Sequence, residues 1–212
     1  MASYQDAIDR LVAGNRVYAQ RTAERDPNAF SELSKGQAPE VLWIGCADSR
    51  VPETTICGCR PGDLFVHRNI ANSVQGDDIN AASVVEYAVT HLKVKKVVVC
   101  GHTKCGGAAA SLGDADLGVM LNTWLHPIRE LRRTHKSELD RLPDDDARAL
   151  RVAELNVQQS LDVLKQHPAI KKAVNDRGLS LHGVIYDIGH GQLRLLDDAG
   201  VKKANGLWAA PN

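Results

Sequence analysis

Two stretches decide the fold: Val41-Leu-Trp-Ile-Gly-Cys46, and Lys96-Val-Val-Val-Cys-Gly-His102, which runs on through Thr103 and Lys104 to Cys105. Within them Val41–Gly45 and Lys96–Cys100 are short apolar runs, the second rich in β-branched residues and closed by Gly101. Runs of this length suit a strand buried on both faces, whereas a helix needs about ten residues or more. Between them lie a second strand-like run, 63–67, and a helical segment, 77–92. In that segment Ile79, Ala82, Val85, Val89 and Leu92 recur at helical spacing, and Asp77 or Asp78 can cap its start. Beyond Cys105, segments 103–112, 117–134 and 144–166 read as helices, the last ending before Pro168. Segments 181–188 and 192–196 read as strands joined by a Gly-His-Gly turn, so they pair antiparallel and the last is an edge. Strands alternating with helices predict an α/β fold. Its central sheet is mostly parallel, about four parallel strands plus an antiparallel edge strand, flanked by helices.

The chain upstream of Val41 reads differently. Segment 3–20 has Tyr4, Ile8, Leu11, Val12 and Tyr18 near one stripe of an amphipathic helix. Segment 21–39 is polar with two prolines, which predicts a loop with a short helical turn. The expected organisation is an N-terminal helical arm over 1–39 and a single α/β domain over 40–212. A tethered amphipathic helix needs a surface to cover it, from its own body or from a second subunit.

Composition narrows the function. Apolar residues make up 43% and charged residues 25% of 212 residues, as in an ordinary globular protein able to bury a core without disulfides. Lys+Arg and Asp+Glu are equal at 26 each, which gives no reason to expect a nucleic-acid partner. No apolar run approaches the roughly 18 residues needed to cross a bilayer, and no membrane partner is expected. The N-terminus shows no basic-then-apolar leader and is acidic early, so the cytosol is the expected location; a trimmed organellar presequence would leave no trace. Five cysteines, an odd number, point to metal binding or catalysis in a reducing compartment and away from a disulfide framework.

Cys46 follows the first strand directly, and His102 and Cys105 follow the third. In an open parallel sheet, functional groups from distant parts of the chain gather at the carboxyl ends of the strands. Two thiolates and one imidazole suit zinc, and three protein ligands leave the fourth position that a catalytic zinc requires. Spacing alone leaves a second reading level with this one: buried free thiols with a capping histidine. Cys57, Cys59 and Cys100 read as core or surface thiols; Cys57-Gly58-Cys59 could chelate, but no histidine or second cysteine pair lies near it in sequence. Asp48 and Arg50 shift the balance toward catalysis. The carboxylate is either a fourth ligand or an acceptor for the attacking water, and a forked pair with Arg50 would orient it. An Asp-Ser turn with a surface arginine is the plainer alternative.

Here the sequence resembles the β-class carbonic anhydrases. The matching pieces are Cys46-Ala-Asp-Ser-Arg50, Phe65-Val-His-Arg-Asn69 with Ile70-Ala71-Asn72, and Cys100-Gly-His-Thr-Lys-Cys-Gly107, in the family's order and spacing. Ala47 stands where many relatives carry serine. The resemblance implies one Zn2+ per chain on Cys46, His102 and Cys105, an Asp48–Arg50 pair that orients the attacking hydroxide, and the reversible hydration of carbon dioxide to bicarbonate and a proton. It implies Gln37 as a substrate donor across a dimer interface. It also implies Phe65, Ile70, Tyr87 and Gly106 as the carbon dioxide pocket, though plain core is an equal reading for Ile70 and Tyr87. It further implies a homodimer with exchanged N-terminal arms, doubled into a dimer of dimers. Trp43, Arg68 and Tyr186 match a regulatory bicarbonate pocket of one subgroup; strand core and an ion pair are the alternative. His67 and His135 are candidates for moving the proton, and both read more readily as structural or exposed.

Competing functions remain at this point. The same zinc set could hydrolyse carbon disulfide or carbonyl sulfide, or a non-catalytic zinc-stabilised module could bind bicarbonate. A redox-sensing role for the free thiols is a third reading.

Overall fold

The structure is a computed structural model and describes residues 6–196. It divides into two compact units at the Ala38–Pro39 junction. In the first, helix α1 (Ala7–Arg25) starts at Asp6, whose carboxylate accepts from Ile8 N–H at 3.2 Å. The helix runs five residues beyond the expected end because nothing breaks it before Asp26-Pro27. A short helix α2 (Ala29–Leu33) follows, and Phe30 meets Tyr18 edge to face at 6.2 Å. Tyr4, on the expected stripe, lies outside the described residues.

The second unit is built on a five-stranded sheet in the order β2-β1-β3-β4-β5. The strands are β1 (Val41–Cys46), β2 (Leu64–Asn69), β3 (Lys96–His102), β4 (Ser180–Asp187) and β5 (Gln192–Leu196). The first four run parallel and β5 is antiparallel to β4, as the alternation of elements and the tight Gly-His-Gly turn predict. The chain leaves β1 toward β2 on one side and returns to place β3 on the other. The strand order therefore reverses beside the carboxyl ends of β1 and β3, where open α/β sheets place their sites.

One face carries Leu42, Ile44, Val97, Val99 and Ile185, all buried. They are covered by three helices: α4 (Ile79–Glu86, extended by a wider π turn over Tyr87–His91), α8 (Asp145–Gln166) and α9 (Pro168–Arg177). Helix α8 approaches the sheet closely because β3 carries glycine at its contact. A Cβ on Gly101 would stand 2.8 Å from Ile185 Cδ1 and 2.9 Å from Val157 Cγ2. The other face carries Trp43, Cys100 and Val184, packed by Ile56 and Cys57 from the short helix α3 (Glu53–Ile56) and its end. A third cluster joins α5 (Gly106–Ala110), α6 (Val119–Thr134), α7 (Lys136–Leu139) and α8 around Cys46 and Cys105. Helix α9 lies where the sequence shows only a stop. Pro168 ends α8 and opens α9 as its first residue, with the His167 ring accepting from Ala169 N–H at 3.3 Å. Among the described residues no helix is long and apolar enough to cross a membrane.

Candidate active site

The site grows from strand ends. Cys46 is the last residue of β1 and His102 the last of β3. A turn through Lys104, at the positive φ of 57°, brings Cys105 back beside them. The Sγ atoms of Cys46 and Cys105 and a ring nitrogen of His102 all lie within 4.8 Å of one another, and all three residues are buried. His102 Nδ1 is 2.9 Å from Thr103 O. A carbonyl oxygen only accepts, so Nδ1 carries the proton and Nε2 presents its lone pair. That Nε2 is buried and has no hydrogen-bond partner among the described residues. Leaving a buried nitrogen lone pair unmatched is costly, and a Lewis-acidic cation answers it.

The sulfurs agree with a cation. Cys46 is pulled well below the usual thiol range, foremost by the Cys105 thiol donating to it, against burial. Cys105, as the donor, is pushed up by Cys46 and by burial. The pair thus gives up one proton readily and shares the other, and a divalent cation in its place would leave two thiolates. Two thiolates and a neutral imidazole with an unmatched nitrogen fit zinc.

Asp48 stands beside this set, with Oδ2 at 3.9 Å from His102 Nε2. Arg50 grips it from three donors: backbone N–H to Oδ1 at 2.9 Å, Nε to Oδ1 at 3.0 Å and Nη2 to Oδ2 at 2.7 Å. Nη2 also donates to Lys104 O at 3.1 Å, so the turn that delivers Cys105 orients the guanidinium as well. The Arg50 hydrogen bonds hold the Asp48 carboxyl well below the usual carboxylate range, although burial opposes them.

Arg68 braces the same loop from β2. Its Nε donates to Cys46 O at 2.9 Å and its Nη2 to Asp48 O at 2.6 Å, while Nη1 faces Glu53 Oε2 at 3.6 Å. Trp43 and Tyr186 both belong to the sheet face below it. Two of Arg68's donors are therefore committed to main-chain carbonyls, and an anion there would compete with Glu53.

The wall opposite is a strained turn. Ala71 and Asn72 both have positive φ, 61° and 48°; asparagine adopts this region readily, whereas for Ala71 it costs roughly 1–2 kcal/mol. Helix α8 holds them in place. Asn156 Nδ2 donates to Ala71 O at 2.7 Å, and Ser160 Oγ accepts from Val74 N–H at 3.0 Å. Trp124 Nε1 ties Ile70 O at 2.9 Å. Sequence reading missed Asn156 and Ser160. The available signal was two polar residues one turn apart on an otherwise apolar stripe.

The remaining candidates are placed variously. Gly106 opens α5 directly after Cys105, and Ile70 packs by Gly107. Phe65 stacks on Tyr87 at 5.7 Å. Cys46 pairs with Asn69, four residues along β2 from Phe65, so the two levels stand ~13 Å apart along the strand. Gln37 belongs to the first unit. His67 is buried beside Asn69 Nδ2, and burial lowers its pKa; His135 faces Glu138 Oε2 at 3.3 Å.

The family model described as carbonic anhydrase matches residues 41–193. The chain belongs to the β-class carbonic anhydrases. A carbonic anhydrase of Emericella nidulans is 43% identical over 190 residues, covering 89% of this chain and 83% of its own length. A tetrameric β-carbonic anhydrase structure from Sordaria macrospora is 50% identical with a TM-score of 0.88, covering 89% of this chain and 96% of that one. The β-carbonic anhydrase CafA of Aspergillus fumigatus is 48% identical with a TM-score of 0.89, covering 93% of each chain. Carbon dioxide hydration is the family's function, and the Cys46–His102–Cys105 cluster is compatible with the zinc it uses.

Proposed function

We propose that this chain holds one zinc ion on Cys46 Sγ, His102 Nε2 and Cys105 Sγ and interconverts carbon dioxide and bicarbonate there. The observation that carries the assignment is the buried, partnerless Nε2 beside two thiols, with its tautomer set by Thr103 O. Bound zinc supplies Lewis acidity that makes hydroxide available from water near neutrality. Asp48 acts as an orienting acceptor and not as a fourth ligand, because Arg50 already engages both of its oxygens. Being ionised, Asp48 can accept the proton side of the attacking oxygen and cannot donate, which fixes the lone pair that faces carbon dioxide. Arg50 keeps the carboxylate in that orientation, and Arg68 keeps the Cys46–Asp48 backbone under it.

The active unit in this reading is a dimer, doubled into a tetramer. Phe65 lies too far along β2 to line its own chain's site, and Tyr87 stacks on it from the π turn after α4, yet Tyr87 is 47% exposed. They and Gln37 serve the partner protomer's pocket. Support comes from the exposed Ile8, Leu11 and Val12 of α1 and from the tetrameric Sordaria relative. The test is stopped-flow carbon dioxide hydration with zinc content measured on the same sample. One zinc per chain and activity lost to a chelator and restored by zinc are expected. Chelator-insensitive activity, or none in a zinc-loaded sample, refutes the reading.

A further inference from the structure

Cys57 and Cys59 lie outside the metal site and have no task in the chemistry above. They flank Gly58, whose φ of 62° turns the chain at the end of α3. Cys57 N–H donates to Glu53 O at 3.1 Å and Cys59 N–H to Thr54 O at 2.9 Å, so the turn is wound onto the helix. Two residues span about 7 Å when fully extended. A turn shortens that span into the roughly 4.4–6.8 Å that a disulfide needs.

The two thiols differ. Cys57 packs against the cluster of Trp43, Cys100 and Val184, and burial first, then the charges of Cys59 and Glu53, push its thiol up to about 11. Cys59 is half-buried, as Cys57 is, but belongs to no such cluster; its Sγ lies 3.8 Å from Cys57 O. Cys59, which does not pack on that cluster, is placed to react first, and Cys57 to resolve it. The turn is also mechanically connected to the site. It is the end of the helix that carries Glu53, Glu53 faces Arg68, and Arg68 holds the carbonyls of Cys46 and Asp48.

We propose that Cys57 and Cys59 are a dithiol modification site that closes to a disulfide under a hydroperoxide, and that closing it slackens the hold of Arg68 on the Cys46–Asp48 backbone. Cys59 sulfur attacks one peroxide oxygen; an S–O bond forms, the O–O bond breaks, and the departing oxygen leaves as water. Cys57 sulfur then displaces the oxygen from Cys59, forming the S–S bond and releasing a second water with the Cys57 proton. Two thiols and one hydrogen peroxide give one disulfide and two waters, and a dithiol reductant reverses the modification.

The test treats the zinc-loaded full chain with hydrogen peroxide. Arg50 and Arg68 bound a tryptic peptide, 51–68, because trypsin does not cut the Arg60–Pro61 bond; it holds both cysteines and no other. The expected result is that peptide two hydrogens lighter, with zinc content unchanged and carbon dioxide hydration lowered about tenfold, since misplacing a catalytic group by about 1 Å can cost up to 10²-fold. Dithiothreitol restores both mass and rate. Cys59→Ser keeps the activity of the reduced enzyme and resists peroxide. A cross-link between the 51–68 peptide and the one holding Cys100 overturns the proposal. So does full activity in the disulfide form, or equal inactivation of Cys59→Ser, which would make the metal thiolates the target. The effect on rate rests on the proposed function, but the mass change is read without it. A reduced enzyme that hydrates no carbon dioxide therefore counts against that function alone.

Discussion

Ser160→Ala separates two physical effects by sign. Ser160 is 1% exposed on α8, and its Oγ accepts from Val74 N–H at 3.0 Å, just past the strained Ala71–Asn72 turn. Removing one oxygen leaves almost no cavity, so the dominant loss is a buried N–H without its acceptor, worth about 1–3 kcal/mol. Alanine is the better helix former by up to ~0.5 kcal/mol, which offsets part of this. The net destabilisation is about 1–2 kcal/mol, or ~2–8 °C in Tm for a chain of this size. Differential scanning calorimetry of zinc-loaded protein at one fixed concentration measures it, and hydrogen exchange at Val74 reports the site directly. If Ser160 served only the helix, the substitution would raise Tm. A Tm equal to or above the parent's, with Val74 exchange unchanged, refutes the idea that α8 pins the turn.

Arg50→Ala should lower kcat/KM by about 10²-fold or more, because Asp48 loses its orientation, while zinc stays near one per chain by metal analysis. Zinc lost in step with activity would make the pair a ligation device instead. The rate should climb from pH 6 to pH 9, because two thiolates cancel the formal charge of a divalent zinc and weaken its pull on water relative to an all-histidine site of pKa about 7. A flat profile by stopped-flow would contradict this. Gly101→Ala drives a methyl against Ile185 and Val157 and should cost about 1–3 kcal/mol by overpacking, seen as a lower Tm.

The sequence made Cys46 and His102 legible as candidate ligands because each stands at the end of an apolar, strand-length run, and a strand end fixes where a side chain arrives; Cys105 follows through the turn at Lys104. The sheet order was legible only in outline. Alternation of elements gives parallel strands, but the reversal at β1 comes from long-range pairing. Helix α9 stayed hidden because Pro168 carries two meanings, stop and start, and local pattern shows the first. The Ala71–Asn72 turn gave no sign of itself: neither residue is glycine, and what holds it comes from Asn156 and Ser160 more than 80 residues away. Arg68's grip on Cys46 and Asp48 crosses from β2 to β1 and depends on register, as does the displacement of Phe65 from its own chain's ligands.

The group that selects the His102 tautomer is the main-chain carbonyl of the next residue, Thr103. Substitution can erase a carboxylate that orients a histidine, but no substitution erases a peptide oxygen. Which ring nitrogen is left to meet a metal is thus specified by the path of the backbone leaving β3 and is inherited with the fold. Drift at position 103, so long as it spares that path, can alter the neighbourhood of the proposed metal site without changing which atom faces it.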